Sequence, residues 1–424
     1  MKHFYILLFC FFSQIITSQE TYIQCGKIID TKNGKVLTEK TIVVTGKTIA
    51  KIENGFVSGK KGDLIIDLKD KTVMPGLIDM HVHVESESNP QAYLKRYTDN
   101  EADLAFDSVR FAEKTLLAGF TTVRDLGGSG VNIALKKAIA KGKVPGPRIF
   151  TAGKALATTG GHADPTNGSR KDLMGDPGPK DGVVNSVEDA RKAVRQRYKN
   201  GADVIKITAT GGVLSVAKSG QNPQFTIEEI KAICETAKDY GFHVAAHAHG
   251  DEGMRRAIIG GVKTIEHGTL MSEATMELMK KHNAYLVPTI TAGKEVTEKA
   301  KVEGYFPAII VPKALDIGPK IQSTFGKAYQ KGVNIAFGTD AGVFTHGQNA
   351  KEFKFMVEAG MPAIEAIQSA TITNAKILNM EDQLGQLTSG YLADIIAVDD
   401  NPLQKIETME DVIFVMKEGK VYKQ

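Results

Sequence analysis

The sequence predicts an α/β fold: a (β/α)8 TIM-like barrel carrying a small β-sandwich formed by the N- and C-terminal segments. Three observations lead there. Between residues 74 and 380, eight short apolar segments of strand character alternate with helical patterns at the spacing of parallel βα units. Segments rich in β-formers, separated by Asn-Gly and Gly-Lys turns, stand on both sides of that region. No glycine-rich phosphate loop opens a helix after the first strand, which disfavours an open doubly wound sheet.

Residues 1–18 have the pattern of a secretory signal peptide. Lys2 and His3 precede the apolar run Phe4–Phe12, and a cut is expected after Ser18. The run is too short to span a bilayer comfortably, and no later segment looks transmembrane. The chain is therefore expected to be exported, to a periplasmic or extracellular location. Cys10 leaves with the leader; Cys25 and Cys234 fall in apolar stretches and are expected to be buried thiols rather than a disulfide. The composition is that of a globular protein, 42% hydrophobic and 24% charged. A formal net charge of +4, with acids and bases interspersed and no basic tract, argues against nucleic acid as a partner; a homo-oligomer is compatible with it.

Ile23–Ile29, Thr41–Val44, Thr48–Ile52 and Leu64–Leu68 are the first strands, and Ala393–Val398, Val412–Met416 and Gly419–Tyr422 resemble them at the other end. Residues 19–73 and 381–424 are thus expected to pair as the accessory sandwich around a barrel domain over 74–380. The first barrel strand ends in His81-Val82-His83. Side chains alternate along a strand, so the two imidazoles share one face, ~7 Å apart. The helix 103–118 follows, then the strand Thr121–Asp125, which brings Arg124 to its end. Arg148–Ala152 is the third strand, and the long loop after it carries Gly160-Gly161-His162-Ala163-Asp164. A loop that long is commonly functional. Val204–Thr208 carries Lys206; His243–His249 ends in His247 and His249; Thr264–Gly268 carries His267; Ala284–Pro288 is the seventh strand, and Asn334–Asp340 ends in Asp340.

In a barrel of this kind functional groups sit at the C-terminal ends of the strands. Five of the 10 histidines end three of the eight strands. Each alone has an ordinary structural explanation; together with Lys206 and Asp340 they have the composition of a metal site. Lys206 lies inside Val204-Ile205-Lys206-Ile207, where an unpaired ammonium would be costly. Burial and nearby metal charge both lower a lysine pKa, and a neutral amine takes up carbon dioxide as a carbamate, an anionic ligand with two oxygens.

Pro75–His83, Lys206–Gly212, Ala246–Gly250, Glu266–Gly268 and Gly338–Gly342 together resemble the amidohydrolase superfamily, and more narrowly its imidazolonepropionase-like, Xaa-Pro dipeptidase-like branch. Ala393–Val398 resembles that family's return to its accessory sandwich, and the similarity covers nearly all of residues 22–422. The resemblance implies that His81, His83 and Asp340 bind one divalent metal, His247 and His267 a second, and a carbamate on Lys206 bridges them. It leaves His249 free to face substrate and matches His162 to a substrate-binding histidine, although Ala163 stands where the branch commonly has glycine. The ligand types suit Zn2+. The implied chemistry is cleavage of an amide C–N bond by a metal-bridging hydroxide, with Asp340 shuttling the proton. The expected substrate is an Xaa-Pro or other dipeptide or an N-acyl amino acid; the alternative is a cyclic amide. A carboxylate on the product side would need a cation or several donors, and His162, His249 and Arg124 are the candidates, with Arg124 equally well explained as the partner of an acid at the barrel rim. A non-enzymatic binding protein would be expected to have lost ligands, and all six are kept.

Overall fold

The computed structural model describes residues 19–424; the segment expected to be a signal peptide lies outside them. Its strands, in chain order, are β1 (Glu20–Asp30), β2 (Lys35–Thr45), β3 (Thr48–Asn54), β4 (Leu64–Pro75), β5 (Leu77–Val82), β6 (Phe120–Asp125), β7 (Arg148–Thr151), β8 (Ile205–Thr208), β9 (Val244–Ala248), β10 (Thr264–His267), β11 (Tyr285–Val287), β12 (Asn334–Ile335), β13 (Ile395–Val398), β14 (Val412–Lys417) and β15 (Lys420–Lys423).

The two ends of the chain do meet, but in one hydrogen-bonded sheet, ordered β15-β14-β13-β4-β1-β2-β3, where two packed sheets were expected. The physical reason is β4. It pairs parallel with β1 on one edge and antiparallel with β13 on the other, so the N- and C-terminal halves join edge to edge. The sheet then rolls over its own apolar face: Thr48 bridges back to Leu392, and the Ile49 amide donates to the Tyr391 carbonyl at 2.9 Å. Strand alternation sorts its side chains. Ile395, Ala397, Phe414 and Met416 enter the core enclosed by the sheet, whereas Ile396, Val398, Val412 and Val415 face the main core of the chain.

β4 passes directly into β5 through Gly76, where a Cβ would stand 2.3 Å from the Thr121 hydroxyl oxygen. Eight parallel strands follow, β5-β6-β7 in one sheet and β8 to β12 in another. Two seams join these sheets. At one, Leu156 bridges Ile207 and its amide donates to the Lys206 carbonyl at 2.8 Å. At the other, Val82 bridges Ala341 and the Asp340 amide donates to the His81 carbonyl at 2.7 Å. The strands therefore follow one cyclic order. β12 is shorter than expected: beyond Ile335 the chain is held by single bonds, such as that from the Met80 amide to the Phe337 carbonyl at 3.0 Å.

Helices lie between the strands. Glu101–Leu117 agrees with the helix expected over 103–118 to within two residues at each end, and Val131–Ala140, Val187–Asn200, Ile227–Asp239, Asp251–Gly260 and Glu273–Lys281 fill the intervals between the later strands. Their starts are encoded locally: Thr226 and Glu229 form a reciprocal capping box, and the Ser186 and Ser272 hydroxyls accept from the amides of Asp189 and Thr275. The helix Ala92–Thr98, in the connection after β5, has no counterpart in the sequence reading. Cys25 and Cys234 are free thiols; Cys25 is buried, as expected, whereas Cys234 is only half-buried.

Candidate active site

A cavity of about 490 Å³ opens at the C-terminal ends of the eight parallel strands, within the size range of small-molecule sites. Of the nine site residues singled out in the sequence, eight line it. His81 and His83 do share a face: their Nε2 atoms stand 3.5 and 3.3 Å from Oδ1 of Asp340. The strand-end reading holds for His247 and His249 too, whose rings lie 4.7 Å apart at right angles. Among the described residues, two groups have ligand atoms mutually within 4.8 Å: His247, His249 and His267, and His81, His267 and Asp340. His267 belongs to both. The first group leaves His247 and His249 equally within reach.

Three residues of the site have left-handed backbone without being glycine: His267 (φ 71°), Thr289 (φ 53°) and Asp340 (φ 63°). Such conformations are uncommon and are kept where surrounding structure imposes them. At His267 the effect is specific. Regular alternation along β10 would put Glu266 and His267 on opposite faces, whereas the twisted backbone lets both side chains reach the strand-end cluster.

Each of the five strand-end imidazoles has one nitrogen tied to a protein oxygen. Nδ1 of His81 lies 2.9 Å from Glu266, that of His83 2.9 Å from the Gly127 carbonyl, that of His249 2.9 Å from Thr269 Oγ1, and that of His267 2.6 Å from Thr289 Oγ1. For His247 it is Nε2 that meets an acceptor, the Gly211 carbonyl at 3.1 Å. Such contacts fix ring orientation and tautomer and leave the other nitrogen free as a ligand. Burial keeps most of these rings neutral. It lowers His81, with help from Lys206, to about 4, and it lowers His249 to about 4. His247 and His267 are driven well down by burial and by neighbouring imidazoles. His83 differs: burial lowers it, but Asp340 outweighs burial and the net shift is upward. Burial raises Asp340, and His81, His83 and Lys206 outweigh it, so the carboxylate is favoured.

Lys206 is 4% exposed, and its Nζ lies 3.4 Å from Nε2 of His81. No ion pair ties it to a carboxylate among the described residues, and burial pulls its pKa down to about 8. His162 stacks on His247 with ring centroids 4.3 Å apart. Gly212 makes room for it, since a Cβ there would stand 2.1 Å from the His162 ring. Burial lowers His162 to about 3, so it is a neutral ring, and its Nδ1 is buried without a hydrogen-bond partner.

Arg124 does not line the cavity. It is fully buried, with Nη2 2.9 Å from Glu266 Oε1 and Nε donating to the Met80 carbonyl at 2.7 Å. It cannot meet a substrate carboxylate, because its guanidinium is already spent on the carboxylate that orients His81. Glu266 has no assigned role in the sequence reading, although it directly precedes His267. Burial raises its pKa, but Arg124 and His81 reverse this and hold the group near 2. Thr269 and Thr289 were also missed, as was Lys154, a half-buried cation that lines the cavity.

The donor set fits divalent metal ions. Imidazole nitrogens and a carboxylate converge, and Oδ1 of Asp340 is buried with no hydrogen-bond partner.

The known proteins that this chain matches have the same character. The amidohydrolase family matches residues 72–422. Ochratoxinase of Aspergillus niger is 34% identical over 435 residues, covering 95% of this chain and 86% of that protein. Among solved structures, a Xaa-Pro dipeptidase with methionine bound in its active site is 54% identical, covers 96% of this chain and 100% of its own, and superposes with a TM-score of 0.93. A prolidase complexed with N-methylphosphonate-L-proline is 35% identical, again over 96% of this chain, with a TM-score of 0.88. The chain belongs to the amidohydrolase family and is a hydrolase acting on carbon–nitrogen bonds.

Proposed function

We propose that the protein is a binuclear metal-dependent hydrolase that cleaves the amide bond of a small amino-acid derivative: an Xaa-Pro or other Xaa-amino-acid dipeptide, or an N-acyl amino acid. The observation that carries this reading is the convergence of five imidazoles, Asp340 and an unpaired buried lysine in one cavity. The ring of strands with its outer helices serves as a (β/α)8 barrel, and the rolled terminal sheet as its accessory domain. His81, His83 and Asp340 hold one ion and His247 and His267 the other, Zn2+ being the best match to the donors. When bound, such ions supply Lewis acidity and a water deprotonated near neutral pH.

The remaining chemistry belongs to the chain. The Lys206 amine, neutral in appreciable part because of burial, takes up carbon dioxide with loss of a proton and presents two carbamate oxygens between the two ligand groups. Asp340, held as a carboxylate, accepts the proton of the attacking water and passes it to the leaving nitrogen. His249 and His162, neutral at physiological pH, line the substrate's side of the cavity, and the unpartnered Nδ1 of His162 serves as a donor to the substrate carbonyl. The cation for a product-side carboxylate is Lys154, which takes the place considered for Arg124. Val213, Leu214, Val296 and Ile317 give the cavity an apolar wall for the rest of the substrate. Residues 1–18 direct export of the chain. Among the described residues no helix is long and apolar enough to cross a membrane.

The test is a screen of dipeptides and N-acyl amino acids with zinc-reconstituted protein. Release of free amino acid from at least one class is expected; no turnover of either would overturn the assignment.

A further inference from the structure

Thr289 occupies the N-cap position of the helix Ile290–Ala300 but does not cap it with its side chain. A threonine there ordinarily turns its hydroxyl oxygen back onto the free amides of the first turn. Here the hydroxyl lies 2.6 Å from Nδ1 of His267, and the residue is held at φ 53°, ψ 43° to reach it. The amides it leaves behind are nevertheless satisfied. Glu352, on the helix Lys351–Glu358 and fully buried, accepts from Ile290 N at 2.7 Å and from Thr291 N at 2.8 Å, and takes the Thr291 hydroxyl at 2.6 Å.

We infer that Glu352 is a positioning residue for His267: it caps the helix after β11 in place of Thr289 and so frees Thr289 to orient the His267 ring. The inference rests on the reading of His267 as a metal ligand. A lone pair on Nε2 requires the proton on Nδ1, so Nδ1–H donates to Thr289 Oγ1, and the tautomer depends on that hydroxyl staying where it is. Without the Glu352 carboxyl, the helix end has bare buried amides and Thr289 is the nearest group able to satisfy them. Its left-handed backbone, unfavourable for a β-branched residue, would relax in the same movement. The Thr289 amide, which donates to the Gly338 carbonyl at 3.2 Å, ties this turn to the segment leading to Asp340. Glu352 itself touches neither ligand nor substrate cavity, so its effect is transmitted through Thr289.

The experiment is Zn2+ titration of metal-free protein against a chromophoric chelator, for the unmutated chain, Glu352→Gln, Thr289→Val and the double variant. Glutamine is isosteric but turns one acceptor into a donor that faces donors. Glu352→Gln should weaken the ion held by His267 by ~10–100-fold, the range found for outer-shell partners of metal ligands. Thr289→Val should cause a similar loss, and the double variant little more than either alone, because one interaction is removed twice. Should Glu352→Gln fail to fold, Glu352→Asp, which keeps the acceptors but withdraws them by one methylene, is read in the same way. Unchanged Zn2+ affinity in the Glu352 variant, beside normal uptake by the unmutated chain, overturns the inference alone. An unmutated chain that takes up no metal overturns the metal reading and this inference with it.

Discussion

Arg124 and Glu266 form an ion pair 2.9 Å long in which neither side chain exposes any surface. The other oxygen of the same carboxylate lies 2.9 Å from Nδ1 of His81. A residue on β6 thus orients a side chain on β5 by way of β10. Replacing Arg124 with methionine would leave Glu266 buried without its counter-ion, at a cost of about 3–5 kcal/mol in unfolding free energy. Denaturant unfolding measures this. Arg124→Met combined with Glu266→Gln should recover part of the loss, and strict additivity of the two substitutions would refute the pairing.

Purified protein should carry about two divalent ions per chain, as in sites that clamp both reacting oxygens. His81→Ala and His247→Ala should each lose most of the activity and at least one ion, read by elemental analysis. Full hydrolase activity in protein stripped of metal would contradict the mechanism.

Lys206→Ala should be nearly inactive. A short carboxylic acid supplied with metal should restore part of the activity by replacing the carbamate oxygens. Labelled carbon dioxide should give a carbamate resonance in the unmutated protein that the variant lacks. An unmodified Lys206 in protein holding both metals would rule out the bridging role.

For Lys154 the measurement is substrate polarity. Amidating the product-side carboxylate should reduce kcat/KM by ~10–1,000-fold, equal to about 1.4–4 kcal/mol. Lys154→Met should cause a similar loss on the free acid and little further loss on the amide. Equal turnover of acid and amide by the unmutated enzyme would exclude carboxylate recognition and favour a neutral or cyclic amide.

Lys417 gives a pH signature away from the site. It is buried, donates to the Gly146 carbonyl at 2.5 Å, and burial lowers its pKa from 10.5 to about 8. Between those values the unfolded chain binds the extra proton, so this group makes stability rise with pH from about 8 to 10.5. In Lys417→Met that contribution should vanish, leaving a loss from the unpaired Gly146 carbonyl that does not vary with pH. Parallel stability curves for the two proteins across this window would show that Lys417 titrates normally.

How much of this was legible in the sequence depended on the range of the signal. His81 and His83 were assigned to one face by the two-residue period of a strand, a local signal. The eight strand ends were legible because each apolar segment is short and bounded by turn-formers. For Arg124 the substrate-cation and acid-partner readings stood level because β6 is buried on both faces, so alternation could not say which face looks into the cavity; its pairing with Glu266 decides for the acid partner. Glu266 and His267 defied alternation through a positive φ at His267, where the following glycine, Gly268, marked only the end of the strand. Glu352 caps a helix 62 positions earlier in the chain, and β4 pairs with a strand more than 300 residues away. The first leaves no trace in any window of sequence; of the second, the pairing of the two terminal segments was expected, but not the edge-to-edge match of β4 with β13.

That last pairing orders events in time. As the chain is made from its N-terminus, β1 to β4 can pair early, but the open edge of β4 has no partner until residues 395–398 emerge. Met74 and Pro75, on that edge, lead straight into the strand that carries His81 and His83. Closing a loop of this length is slow, and an unpaired edge is open to other chains meanwhile. The last strands to be synthesised thus supply the partner of the strand that leads to His81, and a chain interrupted before them should aggregate through the β4 edge rather than persist as an active fragment.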